Sequence, residues 1–195
     1  ALGRLEEIDD LLDEATNLGS GYPGPLIERT GHELKAHGHS EAARQVMDRA
    51  LAWYESRPPN EAETRGHRAQ LGWTLMGVER LRRAQEIFER LVEETPENLA
   101  YLGTLGVLAA RSGNQNETRR IDQELADLER PDLRGAGTFW RACIAAQLGE
   151  PARAVQLLRE AHSEGLRFWV HLHRLAFLEP LWGYEPFEEF LRPKG

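Results

Sequence analysis

Along most of the chain, apolar residues recur three and four positions apart. Leu81, Ala84, Ile87, Phe88 and Leu91 form one such stripe, and Val155, Leu157, Leu158 and Ala161 form another. A helix turns once in about 3.6 residues, so this spacing lines up one apolar face for burial. Strict two-residue alternation is nearly absent. The pattern therefore predicts an all-α chain without a sheet. Glycine and proline break the helical segments at Gly19–Pro25, His37–His39, Arg57–Asn60, Thr95–Asn98, Arg111–Asn116, Arg130–Gly137, Leu148–Pro151 and Ser163–Gly165. Helical segments of roughly 10 to 18 residues with short breaks predict antiparallel hairpins.

The breaks also repeat. The small residues Gly31, Gly72, Gly106 and Ala142 are spaced 41, 34 and 36 residues apart, each mid-way along the first helix of a hairpin. A second small residue follows in the partner helix at Ala43, Ala84 and Ala154, and a large apolar one at Met47, Phe88 and Leu158. A period of about 34 residues with two helices per unit marks a helical repeat array. Small residues let two helices approach, and large ones fill the gap to the next hairpin.

These residues resemble the tetratricopeptide repeat family. Leu71, Gly72, Ala84, Phe88 and Pro96 carry the likeness in one unit, and Gly31, Gly38, Ala43, Met47 and Ala50 in another. Leu105, Gly106 and Gly113 carry it in a third unit, and Ala142, Gly149, Ala154, Leu158 and Ala161 in a fourth. The resemblance implies a right-handed superhelical array, an α-solenoid, with full repeats over 24–59, 65–98, 99–131 and 135–165. The third unit departs from the pattern. Thr118 stands where an alanine belongs and the apolar face of RIDQELADL is displaced, so its second helix is expected to be irregular.

Residues 1–20 read as a half repeat. Gly3, Leu12 and Ala15 fall at the places of the turn glycine, large apolar residue and small residue of a second helix. A chain opening on half a repeat is expected to follow earlier repeats or another domain. Residues 166–195 read as a cap. Pro180, Leu181, Pro186, Phe187, Phe190 and Leu191 resemble the closing segment of repeat arrays in large bacterial regulatory proteins, and a short helix over the last hairpin is expected.

Composition narrows the function classes. Net charge is −8, and an acidic chain repels a phosphate backbone, so nucleic acid is not an expected partner. No apolar run reaches the roughly 20 residues that cross a bilayer. Cys143 is the lone cysteine, which excludes an internal disulfide and fits a cytoplasmic setting. Neither a GxSxG elbow nor a phosphate-binding GxxxxGK[ST] occurs. Carboxylate pairs such as Glu93-Glu94 are adjacent, so their side chains point about 100° apart on a helix and read as solvated faces. No enzyme activity, metal or cofactor is expected.

Three histidines, His32, His37 and His39, fall within eight residues. His32 and His37 are five apart, about 140° around a helix, which is poor geometry for a shared ion. His37-Gly38-His39 sits where the repeat places its turn.

The resemblance also implies a function. Arrays of this family bind a partner peptide along a groove built from their first helices. Its groove positions fall on Glu28, His32 and Lys35, then Ala69, Trp73 and Met76, then Gly103, Val107 and Ala110, and finally Phe139, Cys143 and Gln147. The chaperone-binding members grip a terminal carboxylate with lysines and asparagines. Here Lys35 stands alone, so that mode is disfavoured, and Trp73, Met76, Val107 and Phe139 become expected apolar anchors. The expectation is a non-catalytic scaffold binding a protein or peptide, with self-association as the alternative.

Overall fold

The computed structural model describes residues 7–17, 23–128, 133–169 and 171–192. Among them every regular element is helical, and the chain divides into two compact units, Ala1–Arg80 and Leu81–Gly195.

The first unit holds α1 (Ile8–Asn17), α2 (Gly24–Ala36), α3 (Ser40–Glu55), the single turn α4 (Pro59–Ala62) and α5 (Arg65–Gly77). Helices α2 and α3 run antiparallel at close range. A β-carbon on Gly24 would meet Trp53 and Tyr54 near the end of α3, and one on Gly31 would lie 2.6 Å from the Met47 Sδ in its middle. Helix α5 also opposes α3: the His67 ring nitrogen Nε2 lies 2.9 Å from the Tyr54 carbonyl, and Gly77 abuts Met47. Two helices antiparallel to the same third helix are parallel to each other, so α2 and α5 run the same way. Leu12, Ile27, Leu34, Ala43, Val46 and Ala50 form one core cluster, with Ile8 and Ala42 against it, and Met47, Tyr54, Leu75 and Met76 are buried as well. Arg49 of α3 pairs with Asp9 and Asp13 of α1, which ties the first helix down. The turn glycine proposed at Gly3 lies outside the described residues, as does the side chain of Ala15.

The second unit holds α6 (Leu81–Glu94), α7 (Leu99–Arg111), α8 (Gln115–Asp127), α9 (Ala136–Gln147), α10 (Pro151–Ser163), two 3₁₀ segments (Leu172–Arg174 and Ala176–Leu181) and α11 (Glu185–Leu191). Phe88 of α6 meets Tyr101 of α7 with ring centroids 6.1 Å apart. Helices α7 and α9 are parallel: Gly103 lies under Trp140 and Gly106 under Ile144, where a β-carbon would collide. Asp122 of α8 binds Arg141 of α9 at 3.3 Å and Arg153 of α10 at 2.7 Å, so one carboxylate fastens three helices.

The helix ends explain the repeating breaks. Helices α2, α5, α7, α9 and α10 all finish in the same motif. The amide of His39 donates to the Leu34 carbonyl, and those of Arg80, Asn114, Glu150 and Leu166 donate to Leu75, Ala109, Ala145 and Ala161, at 2.8–3.0 Å. The residue before each takes a left-handed φ: Gly38 at 81°, Gly113 at 73°, Gly149 at 75° and Gly165 at 104°, with Glu79 at 61° in the same place. This 6→1 bond with a left-handed residue is the Schellman stop, and glycine adopts it without a steric penalty.

Three elements differ from the sequence expectation. Helix α8 is regular, not irregular. The Thr118 hydroxyl donates to the Asn114 carbonyl at 2.8 Å, so the buried threonine is satisfied inside its own helix and serves as the small residue. Helix α4 arises within the break at Arg57–Asn60, because Pro59 occupies a first helical position where its missing N–H costs nothing. The C-terminal segment is not one short helix. It enters through 3₁₀ turns with Pro180 inside, and α11 begins only at Glu185.

Candidate functional site

The groove positions separate into two groups. Ala69, Met76, Gly103, Val107, Ala110, Phe139 and Cys143 are buried, with Val107 and Cys143 at 0% exposure. Their side chains are core. This corrects the expectation of open apolar anchors at Met76, Val107 and Phe139. Trp140 covers Gly103, and Phe139 meets Trp169 edge-on at 5.5 Å. Large apolar side chains gain roughly 25 cal/mol for each Å² removed from water, and here the protein supplies the cover itself. Burial also pushes the Cys143 thiol far up from its ordinary range. Burial of this kind favours the thiol over the thiolate that nucleophilic chemistry needs.

Gln147 is half-buried but engaged. Its side-chain amide donates to the Phe177 carbonyl at 2.8 Å, and Phe177 packs edge-on against Trp140 at 5.1 Å. Leu172, Leu178, Leu181 and Phe187 are buried below. The C-terminal segment therefore occupies the α9 face that the sequence assigned to a partner.

The second group remains on α2 and α5. His32, Lys35 and Trp73 are half-buried, and Glu28 is 8% exposed. Glu28 and His32 are one turn apart on one face of α2, with the carboxylate Oε1 3.7 Å from the imidazole Nε2. A β-carbon on Gly77 would lie 3.7 Å from the His32 Cε1, so the end of α5 borders His32. Trp73 is one turn before Gly77 on the same face of α5. Because α2 and α5 run in parallel, stepping back one turn on both helices leads from the His32–Gly77 neighbourhood to Glu28 and Trp73. The structure thus sets the Glu28 carboxylate and His32 imidazole of α2 on a face whose level on α5 is that of Trp73.

The other two histidines of the 32–39 stretch do not join them. His37, Gly38 and His39 form the turn between α2 and α3, and His37 pairs back to Glu33 at 3.8 Å. Sequence reading passed over two aromatic clusters. Tyr54 and His67 stack edge-on at 5.3 Å beside Trp53, whose ring carries the Arg57 guanidinium at 4.5 Å. Phe168, half exposed, meets His162 at 5.5 Å and Phe190 at 5.8 Å. The density of aromatics in RFWVHLHRLAF was the available signal for the second.

Among the described residues, no helix is long and apolar enough to cross a membrane. Compared with family models, with curated proteins and with solved structures, the chain finds no match.

Proposed function

We propose that this chain is a non-catalytic interaction scaffold, a helical repeat array of the tetratricopeptide, solenoid kind, that binds a peptide or helix of a partner protein. The recurrent Schellman stops after α2, α5, α7, α9 and α10 support the repeat reading. The observation that carries the binding reading is the collection of Glu28, His32, Lys35 and Trp73 on the parallel pair α2 and α5, while the apolar groove positions have become core. Polar groups and a half-buried indole are the side chains from which binding hot spots are built.

A random-peptide display selection on the immobilised chain tests the reading. Selected peptides are expected to lose most of their binding to Trp73→Ala protein whose circular dichroism matches the parent. Peptides that bind both proteins equally would contradict it.

Self-association is the second reading, favoured by one observation. Leu11 on α1 is 59% exposed and Leu26 on α2 is 44% exposed, both large apolar side chains left in water. Light scattering over a concentration series is expected to show a dimer that Leu11→Glu abolishes. A monomer at every concentration removes this reading.

A further inference from the structure

Glu28 has an unusual environment for a carboxylate. It is 8% exposed, and its partner among the described residues is His32 on its own helix. That contact is 3.7 Å, too long for a hydrogen bond, and it is ionic only when the ring is protonated. Buried carboxylates ordinarily accept several hydrogen bonds, because their desolvation is otherwise uncompensated. Among the described residues no hydrogen bond reaches the Glu28 carboxylate, and neither side chain is sealed from solvent: Glu28 keeps 10% of its side-chain surface and His32 keeps 20%. On the neighbouring parallel helix, Trp73 stands at the matching level. An acid beside an indole is the pairing that holds a cation, the carboxylate through charge-assisted hydrogen bonds and the ring through its negative face. The chain as a whole carries −8, so a basic partner is also attracted at a distance.

We infer that Glu28 and Trp73 form an anchor for a basic side chain of the partner segment, with the guanidinium of an arginine on the Glu28 carboxylate and its planar head against the indole. The inference rests on the α2–α5 reading given above and names what that face selects. Arginine fits better than lysine because its flat fork offers paired donors to a carboxylate and stacks on an aromatic face at the same time. His32 then acts as the stand-in partner of Glu28 while the site is empty.

The test uses the whole ¹⁵N-labelled protein and two small probes, N-acetyl-arginine amide and its neutral isostere N-acetyl-citrulline amide. Titration into the millimolar range is expected to shift the amides around Glu28 and the Trp73 indole N–H with the arginine probe and not with citrulline. Glu28→Gln, which keeps the shape of the side chain, is expected to weaken the arginine probe about tenfold, the loss of one charge-assisted contact. Should that variant misfold, the comparison of the two probes on the parent protein decides alone. Equal shifts from both probes, no shift at these positions, or an undiminished affinity in Glu28→Gln would each overturn the inference. The two readings fail separately. A chain that selects peptides on the α2–α5 face yet ignores the arginine probe loses the cationic anchor and keeps the scaffold. A chain that selects no peptide yet binds arginine at Glu28 loses the scaffold and keeps the anchor.

Discussion

Glu79 stands where four other helix stops have glycine, at φ 61°. A left-handed conformation costs a residue with a β-carbon roughly 1 kcal/mol, and glycine pays part of that back through its freer unfolded chain. Glu79→Gly is therefore expected to raise the urea midpoint by the equivalent of about 0.5–1 kcal/mol. Gly113→Ala, at φ 73°, is expected to lower it by a similar amount. An unchanged midpoint in both would mean the strain is relieved elsewhere. Cys143 is governed by burial. The thiol is fully enclosed on α9 and its ionisation is suppressed. A thiol-specific disulfide reagent at neutral pH is expected to leave the native protein unmodified and to react on denaturation. Rapid labelling of native protein would show that α9 opens to solvent.

Helix α8 shows how a polar element holds its place. Its surface is laced by Arg120, which binds Glu117 at 2.7 Å and Glu124 at 2.7 Å. The Arg120 hydrogen bond holds the Glu117 carboxyl below its usual range, against a smaller opposing effect of desolvation. A carboxylate with a depressed folded value stabilises above its unfolded range, and that contribution is lost as pH falls through the folded value. These side chains are partly exposed and solvent-screened, so the effect is small: Arg120→Ala is expected to cost about 0.3–1 kcal/mol at neutral pH and less in acid. A cost that grew as pH fell would reverse the sign of this account. Close approach matters more between α7 and α9. A β-carbon on Gly103 would run into Trp140, so Gly103→Ala is expected to destabilise by about 1–3 kcal/mol in thermal unfolding, as overpacking does. At this scale most of the architecture was legible, because glycine stops and 3.6-residue stripes are local signals. Two helices were not. Helix α4 hid inside a Pro-Pro break, and α8 read as irregular because its apolar face is displaced and Thr118 reads as polar until its hydroxyl is seen bonding to Asn114.

Across the whole molecule, the site was less legible than the helices. The repeat register named the positions, yet a position becomes a surface only if nothing covers it. Phe139 and Gln147 are covered by Trp169 and Phe177, about thirty residues downstream. No local pattern announces such a contact. Glu28 and His32 were named from the register as groove residues, but the near-complete burial of the carboxylate and its level with Trp73 depend on α3 aligning α2 with α5. What remains is one candidate binding face in the first unit. Hydrogen–deuterium exchange on the full chain, with and without a peptide from the display selection, tests that claim most directly. Protection concentrated in α2 around residues 28–35 and in α5 around residues 69–77 is the predicted result. Protection confined to other helices, or none at saturating peptide, would contradict it.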